Sequence, residues 1–326
     1  MRLTALFIIL LNAGSLACAQ TAPVRIPVHD PVMIRQDSIY YTFATGRGIS
    51  VWSSRDRVTW KAEKPVFSTP PDWAVKAVPG YRGHTWAPDI SFHNGLYYLY
   101  YSVSAFGKNT SCIGVATNKT LNPADPAFGW QDHGMVVQSV PGRDNWNAID
   151  PNLIVDQDGT PWLAFGSFWD GIKMVRLRDD RKAVAEPQEW VTLASRKRSN
   201  GADDTQAGDG AIEAPFIFRK NNYYYLFVSV DYCCKGPQST YKMMVGRAEK
   251  VTGPYVDKTG RKMVSGGGSL LLQGDANWYG VGHNSVYTFD GADYLVYHGY
   301  DAADNGKSKL LIRPLSWDAE GWPVVK

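Results

Sequence analysis

A two-segment motif occurs five times along the 326-residue sequence, and this repeat limits the possible fold more than any other feature. Each copy is a short aromatic and β-branched segment, a tight turn and a second such segment, which is typical of a β-hairpin. The copies are HDPVMI with IYYTFAT, WAPDISF with LYYLYYSV, IDPNLIV with PWLAFGSF, IEAPFIF with YYYLFVSV, and GHNSVYTF with DYLVYHGY. Because helical periodicity is nearly absent, the sequence predicts an all-β chain.

The spacing of the copies indicates how the strands are organised. The aligned positions are Pro31, Pro88, Pro151, Pro215 and Ser285. Their separations of 57, 63, 64 and 70 residues suit four antiparallel strands with loops, which is one propeller blade. Three copies contain turn residues that tolerate positive φ: Asn94-Gly95, Asp158-Gly159 and Asp290-Gly291. We predict a five-bladed β-propeller in a single domain. A two-sheet sandwich is the alternative, but it does not explain why a polar residue opens the same strand in every copy.

Polar residues stand at the start of the first segment of each copy. In order they are Asp30, Asp89, Asp150, Glu213 and His283. The first strand of a propeller blade lines the central axis, so side chains at its start converge near one mouth of the channel. Asp89 follows its proline instead of preceding one, and we expect it to point elsewhere. The other four are predicted to share one pocket.

Three carboxylates in an enclosed pocket indicate a catalytic use, because buried charges are costly unless they are paired or used. Inverting hydrolysis of a glycosidic bond needs one carboxylate to deprotonate water and one carboxylic acid to protonate the leaving oxygen, about 6.5 to 9.5 Å apart. Asp30 and Glu213, on different blades, suit this pair. Asp150 suits a third carboxylate, whose charge raises the proton affinity of the acid.

Composition narrows the range of partners. The 34 basic and 31 acidic residues leave a net charge of +3 with no Lys/Arg stripe, so a nucleic-acid partner is not expected. The 12 Trp, 18 Tyr and 12 Phe residues exceed what a core of this size needs, so some should face a ligand. Trp86, Trp169 and, on the blade-two loop, Phe106 are the candidates for stacking on sugar rings. For the two tryptophans, the alternative is a core position between blades.

The N-terminal residues 1–19 are predicted to be a secretory signal peptide. Arg2 precedes an apolar run, and the small residues Ala17-Cys18-Ala19 provide a cleavage site before Gln20. A lipoprotein anchored through Cys18 is the alternative. Beyond this segment no apolar stretch approaches the roughly 20 residues that cross a bilayer, so no membrane partner is expected. We predict that residues 20–326 are secreted, extracellular or periplasmic, and monomeric.

Three cysteines remain after the signal segment: Cys112, Cys233 and Cys234. They are too few to form a disulfide scaffold, so the apolar core must stabilise the fold. The adjacent pair either closes a vicinal disulfide that stiffens one loop or stays reduced at a strand end. The sequence leaves both possibilities open.

The motifs HDPVMI, HTWAPDI, NAIDPNLI, GAIEAPFI and GHNSVY, in this order and spacing, resemble family 43 glycoside hydrolases. Within that family they resemble endo-arabinanases, which cleave α-1,5-linked L-arabinan, and the similarity covers essentially residues 20–326. The resemblance implies a five-bladed propeller and an inverting mechanism. It also implies that Asp30 is the general base and Glu213 the general acid, and that Asp150 tunes and orients the acid.

The same resemblance implies further roles around the sugar. The residues that match Trp86, Asn147, Ser167 and Trp169 are expected near the bound sugar, in a plant cell-wall arabinan. His283 is expected to help hold a central calcium ion, mostly through water molecules. Calcium prefers oxygen ligands, so an imidazole is an unusual partner for it, and a histidine bonded only to water and backbone is the alternative.

Two other functions remain open at this point. One is an exo-acting α-L-arabinofuranosidase or β-xylosidase on the same scaffold, although such relatives commonly carry an extra β-sandwich domain after the propeller. The other is a carbohydrate-binding propeller without activity, which has no need of three converging acids. Internal and end-wise cleavage differ in loops that have no readable signature, and residues 67–83 and 179–210 are where the difference is expected.

Overall fold

The computed structural model describes residues 26–199 and 203–326, which form five antiparallel sheets that follow one another along the chain. The innermost strands of neighbouring sheets contact each other around a common axis, and the fifth sheet packs against the first. The prediction of an all-β, five-bladed β-propeller is therefore confirmed. The predicted signal peptide, residues 1–19, lies outside the described residues.

The strands divide evenly among the blades. Blade one contains β1 (Val32–Gln36), β2 (Ile39–Ala44), β4 (Ser50–Ser54) and β5 (Lys61–Ala62), and the short β3 (Gly46–Arg47) between β2 and β4 extends blade two. Blade two contains β6 (His84–His93), β7 (Leu96–Val103), β8 (Ser111–Asn118) and β9 (Gln131–Ser139). Blade three contains β10 (Asn152–Val155), β11 (Pro161–Phe165), β12 (Ile172–Arg176) and β13 (Trp190–Ala194). Blade four contains β14 (Ile212–Lys220), β15 (Tyr223–Val230), β16 (Lys242–Ala248) and β17 (Ser269–Gln273). Blade five contains β18 (Trp278–Phe289), β19 (Ala292–Asp301), β20 (Lys307–Trp317) and β21 (Pro323–Val325).

Helical structure in the described residues is limited to short connections. The α-helix α1 spans Asp72–Ala77 between blades one and two. Single 3₁₀ turns occur at Gly236–Gln238, Met263–Ser265 and Ala302–Asp304. Across residues 26–199 and 203–326, none of the helices combines the length and apolar character needed to cross a bilayer.

Two of the predicted hairpin turns are confirmed in detail. In Asn94-Gly95 the φ angles are 47° and 77°, and in Asp290-Gly291 they are 52° and 78°. These turns join β6 to β7 and β18 to β19, and two consecutive positive φ angles match the right-handed twist of the paired strands. The third turn, Asp158-Gly159, belongs to a longer loop in which only Gly159 has a positive φ, of 92°.

The apolar core is divided into five clusters, each between two neighbouring blades. The cluster that closes the ring joins blade five to blade one through fully buried side chains of Met33, Val296 and Leu310. Full burial of one such side chain stabilises the fold by about 1.5–3 kcal/mol. The backbone N–H of Leu310 also donates to the carbonyl of Ile26 at 3.1 Å. Blades one and five are thus held together by packing and hydrogen bonds, each blade keeping its own four strands.

Candidate active site

One backbone feature recurs at the entry to the innermost strand of every blade. A single residue there has a left-handed φ: Asp30 (55°), Ala87 (41°), Asp150 (58°), Ala214 (54°) and His283 (50°). In blades two, four and five the strand pairing is interrupted at this point by a β-bulge, in which two residues oppose one. A left-handed φ is unfavourable for a residue other than glycine, so surrounding contacts must hold it.

Those contacts come from the preceding blade in every case. The backbone N–H of the left-handed residue donates to a side chain, and the pairs are Asp30 with His298 Nδ1 (3.1 Å), Ala87 with Thr45 Oγ1 (2.8 Å), Asp150 with Ser102 Oγ (3.0 Å), Ala214 with Asp150 Oδ2 (3.1 Å) and His283 with Ser229 Oγ (2.8 Å). The five bends are therefore linked around the ring. Asp150 occupies the bend of blade three, and its carboxylate accepts the hydrogen bond from the bend of blade four, at Ala214, which follows Glu213 in the sequence.

Asp30 is buried and surrounded by donors. Its Oδ1 lies 2.8 Å from His29 Nδ1 and 2.9 Å from His283 Nδ1, and its Oδ2 accepts from Thr45 Oγ1 at 2.5 Å. Burial alone would raise the pKa of Asp30, but the two imidazoles outweigh it and hold the pKa well below the usual range. The carboxylate is therefore ionised at neutral pH, as a general base requires.

Glu213 is buried in a different environment. Its Oε2 accepts a hydrogen bond from Ser167 Oγ at 2.7 Å, and the backbones of Ser167 and Glu213 form an isolated β-bridge between blades three and four. Burial raises the pKa of Glu213, and the hydrogen bond from Ser167 opposes this rise without cancelling it. Its protonated form is thus favoured more than in an ordinary glutamate, which suits a general acid.

Asp150 and His283 complete the charged cluster. Burial raises the pKa of Asp150, the negative charges of Glu213 and Asp30 add to the rise, and His283 opposes it. Burial would lower the pKa of His283, but Asp30, with Asp150 and Glu213, raises it to about 9. His283 is therefore an imidazolium at neutral pH, paired with Asp30, and the four side chains predicted to share a pocket interact with one another.

Several buried polar atoms near this cluster have no hydrogen-bond partner within residues 26–199 and 203–326. They are the hydroxyl of Tyr241, both side-chain polar atoms of Asn284 and Oδ1 of Asn147. Burial, with the charges of Glu213, Asp150 and Asp30, raises the pKa of Tyr241 well above its usual value, so its hydroxyl lies close to the carboxylates. Unpaired buried polar atoms in a channel are satisfied by water or by ligand hydroxyls.

The predicted stacking residues differ in exposure. Trp86 is half-buried at the blade-two bend, and its strand position opposite Ser102 corresponds to that of Glu213 opposite Ser229. Phe106, beyond β7, is 81% exposed and offers a free aromatic face. Trp169 is only 3% exposed, and its Nε1 donates to the carbonyl of Asp204 at 3.0 Å. Trp169 therefore presents little free ring surface in this structure, and its contact with the sugar stays a prediction.

The structure corrects one assumption of the repeat alignment. Asp30, Asp150 and His283 occupy the left-handed position of their blades, whereas Glu213 stands one residue before it, with Ala214 at the bend. Glu213 is therefore not the structural counterpart of the other three. Asp89 points elsewhere, as predicted, because its carboxylate accepts from the backbone N–H of Leu153 in blade three at 2.7 Å.

The sequence did not identify the partners that hold Asp30. His29 stacks on His298 with ring centroids 3.9 Å apart, and its Nε2 lies 2.8 Å from the Tyr300 hydroxyl. Thr45 contacts the other carboxylate oxygen. The sequence carried one signal for these partners. His29 opens HDPVMI in the first motif, and His298 lies near the end of DYLVYHGY in the last motif, and a closed ring makes these two motifs neighbours.

His283 is the residue predicted to help hold a calcium ion. Among the described residues, two groups have the spacing of metal ligands. In one, His29 with Cys233 and Cys234, the two sulfurs are joined in a disulfide; the other is His29 with Asp30 and His298. His283 belongs to neither group. Calcium takes roughly six to eight oxygen ligands. His283 Nδ1 lies 2.9 Å from Asp30 Oδ1, and a calcium ion held mostly by water beside His283 stays a prediction.

A five-bladed propeller that gathers an ionised carboxylate and a second buried carboxyl group of raised pKa at the bends of its innermost strands has the architecture and chemistry of a glycoside hydrolase. The sequence matches the description "Glycosyl hydrolases family 43" over residues 21–323. The chain belongs to this family, whose members act with inversion, so the family predicted from the motifs is confirmed. The alternative of a carbohydrate-binding propeller without activity is not supported.

Three relatives define the similarity more closely. The chain is 57% identical to an extracellular exo-α-(1→5)-L-arabinofuranosidase of Cellvibrio japonicus, over 97% of this chain and 91% of the relative. It is 45% identical to an extracellular endo-α-(1→5)-L-arabinanase of Bacillus subtilis, over 91% of this chain and 87% of the relative. A solved structure of Cellvibrio cellulosa α-L-arabinanase complexed with arabinohexaose matches with a TM-score of 0.91 and 57% identity, over 93% of this chain and 96% of that one.

Proposed function

We propose that this chain hydrolyses the α-1,5 linkages of L-arabinan, with Asp30 as the general base and Glu213 as the general acid. The observation that carries the proposal is that one buried cluster moves two carboxyl pKa values in opposite directions. Despite its burial, Asp30 has a lowered pKa because of two imidazoles, whereas burial raises the pKa of Glu213. Such a separation assigns base and acid roles to paired carboxyl groups.

The hydrogen bonds of Asp30 leave one position free for a water molecule. Its Oδ1 is approached by His29 and His283, which occupy both of its lone pairs, and its Oδ2 accepts from Thr45. The remaining lone pair lies on Oδ2. In the proposed step this oxygen takes a proton from water as the water oxygen attacks the anomeric carbon of the sugar.

The hydrogen bonds around Glu213 prepare it to donate a proton. Because Ser167 donates to Oε2, we place the carboxyl proton on Oε1, which transfers it to the glycosidic oxygen as that bond breaks. Asp150 accepts the N–H of Ala214, next in sequence to Glu213, and so holds the backbone bend that directs the acid. After product release Asp30 returns its proton to water, and Glu213 regains one.

The names of the relatives support arabinan as the substrate and leave two modes of cleavage. We propose end-wise action, because the relative at 57% identity is named an exo-acting enzyme. The described residues after β13 lie beside one wall of the site. The carbonyl of Asp204 accepts from Trp169 Nε1 at 3.0 Å, and Arg198 pairs with Asp204 at 2.6 Å. The internal mode predicted from the motifs is the second candidate, because the relative at 45% identity is named an endo-acting enzyme.

The lengths of the products distinguish the two modes. With debranched linear arabinan, end-wise action is expected to release a single short product from the first minutes, whereas internal cleavage releases mixed oligomers. Product lengths are followed by chromatography, and proton NMR of the first product reports the anomer, which should be the inverted one. Matched incubations with xylan test the β-xylosidase alternative. Absence of any arabinan cleavage, or release of the retained anomer, would contradict the proposal.

Asp150→Asn is expected to shift the alkaline limb of the pH profile to lower pH. Asp150 and Glu213 oppose each other's ionisation, so a neutral amide at position 150 lets Glu213 lose its proton more easily. Glu213 has a raised pKa, so activity is present below that pKa and is lost as the pH rises through it. The limb in kcat/KM should move by about one pH unit, and a limb that stays in place would remove Asp150 from the tuning role.

Export is the last part of the proposal. The two relatives reported above are both named extracellular, which supports removal of residues 1–19 as a signal peptide and an exported domain at residues 20–326. Its monomeric state stays a prediction.

A further inference from the structure

A loop of blade four with an unusual covalent feature lies beside the proposed base. Residues 231–240 follow β15, and in this loop Cys233 and Cys234 form a vicinal disulfide, which is one of the two states that the sequence left open. Cys234 is exposed, and its Sγ is 3.8 Å from His29 Nε2. The backbone N–H of Cys234 donates to the hydroxyl of Tyr300 at 2.8 Å. The loop therefore reaches across from blade four to blades one and five.

Tyr300 is the centre of a hydrogen-bond network that ends at Asp30. Its hydroxyl oxygen lies 2.8 Å from His29 Nε2 and 3.3 Å from His298 Nε2. His29 Nδ1 lies 2.8 Å from Asp30 Oδ1, and His298 Nδ1 lies 3.1 Å from the backbone N of Asp30. The network thus contacts both the side chain and the backbone of the proposed base.

The donors and acceptors favour one arrangement of protons. A backbone N–H can only donate, so His298 Nδ1 accepts from Asp30 and the proton of His298 is on Nε2, where it points to Tyr300. Burial lowers the pKa of His298 well below its usual value, which agrees with a neutral ring. Cys234 N–H also donates to Tyr300. Both lone pairs of the Tyr300 oxygen are then occupied. Its own proton has two acceptors within reach, His29 Nε2 at 2.8 Å and Cys234 Sγ at 4.0 Å, and we assign it to His29 Nε2, which is the nearer and the stronger acceptor.

This assignment fixes the tautomer of His29. Because Nε2 accepts from Tyr300, the ring proton is on Nδ1 and is donated to Asp30 Oδ1. Every bond from Cys234 to Asp30 therefore runs in the same donor direction. Without the N–H of Cys234, the Tyr300 hydroxyl would be free to rotate, and the tautomer of His29 would no longer be specified.

Given the proposed role of Asp30 as general base, we propose that the vicinal disulfide loop is a positioning element, which orients the Asp30 carboxylate through the chain Cys234 N–H, Tyr300 and His29. The disulfide links adjacent residues in one small covalent ring, so it restricts the peptide that carries the donating N–H. Cys234 has a left-handed φ of 66°, and its neighbour Lys235 donates from its backbone N–H to Ser239 Oγ at 3.1 Å. These contacts hold the loop in the donating position.

Two variants that remove different parts of the chain provide the test. Tyr300→Phe removes the central hydroxyl, and the pair Cys233→Ser with Cys234→Ser removes the covalent ring. We expect each variant to lower kcat on linear arabinan about tenfold with little change in KM, because a misoriented base affects the transition state more than substrate binding. Combining them should cost little more than either alone, because both changes break one chain.

Controls separate this role from a loss of folding. Tyr232→Phe alters a tyrosine of the same loop whose hydroxyl takes no part in the chain, and it should retain wild-type kcat. Far-UV circular dichroism and thermal unfolding confirm that each variant is folded. Treatment of the wild type with a dithiol reductant, which is itself oxidised to a disulfide as two thiols form on the loop, should lower kcat, and reoxidation should restore it. The serine pair should not respond to either treatment.

The outcomes separate this inference from the proposed function. Three results would overturn the positioning role and leave the proposed hydrolysis intact. They are a wild-type kcat in both folded variants, losses of kcat that multiply when the variants are combined, and losses that affect KM alone. A wild type that does not cleave arabinan would overturn the proposed function itself. The positioning role would be supported by partial losses of kcat in the variants that do not multiply on combination. It would also be supported by a loss of kcat in the reduced wild type that reoxidation reverses.

Discussion

Asp30→Asn is expected to reduce kcat on linear arabinan by about 10⁴-fold, at the upper end of the contribution of general acid–base catalysis. The amide preserves the size of the side chain, but it cannot accept a proton from the attacking water. The loss should persist with an aryl arabinofuranoside that has a good leaving group, because water must be activated whichever group departs. Steady-state kinetics on both substrates measure the two effects.

The matched control for this variant is Asp158→Asn. Asp158 is an exposed aspartate of the β10–β11 loop, and its substitution should leave kcat unchanged. Both proteins should show the same far-UV circular dichroism. If Asp30→Asn retained more than about a hundredth of wild-type activity, well above what loss of a general base allows, the base would have to be another group.

Glu213→Ala is expected to lower turnover of linear arabinan by about 10³-fold or more, because the leaving sugar oxygen then departs without a proton. Binding of arabinan oligosaccharides should remain detectable by calorimetry. The aryl substrate should be much less affected, since a stable phenolate does not need protonation. The difference between the two substrates is the signature of a general acid, and it distinguishes Glu213 from Asp30.

Two controls accompany this experiment. Glu249→Ala removes an exposed glutamate after β16 and should have no effect on either substrate. Ser167→Ala removes only the hydrogen bond to Glu213 and should give a smaller loss than Glu213→Ala. Glu213 would not be the acid if Glu213→Ala kept near wild-type activity on the polymer. The same conclusion would follow if the variant lost equal activity on the polymer and on the aryl substrate.

The fold was predictable because its signals are local. Alternating aromatic and β-branched residues indicate strands within a few positions, and Asn94-Gly95 and Asp290-Gly291 indicate hairpins from two residues each. The regular spacing of the motifs then implies blades. The convergence of Asp30, Asp150, Glu213 and His283 followed from this architecture, since the first strand of each blade lines the axis.

The details of the site were not predictable because they depend on atoms that are distant in sequence. His29 and Tyr300 are 271 positions apart and meet only because blade five closes on blade one. Trp169 occurs in a motif that suggested sugar stacking, and only the structure shows that its side chain is buried, with Nε1 donating to the carbonyl of Asp204. The offset of Glu213 by one residue depends on which residue takes the left-handed bend, which proline spacing does not reveal.

For this protein, the sequence alone determined the strands, the number of blades and the four residues that gather at the channel mouth, because periodicity and turn chemistry act over short stretches of chain. The tertiary structure decided which carboxyl group is ionised, how the protons run from Cys234 to Asp30 and which aromatic rings stay open. Those properties depend on burial and on distances of a few ångströms between different blades, and such distances exist only after the ring has closed.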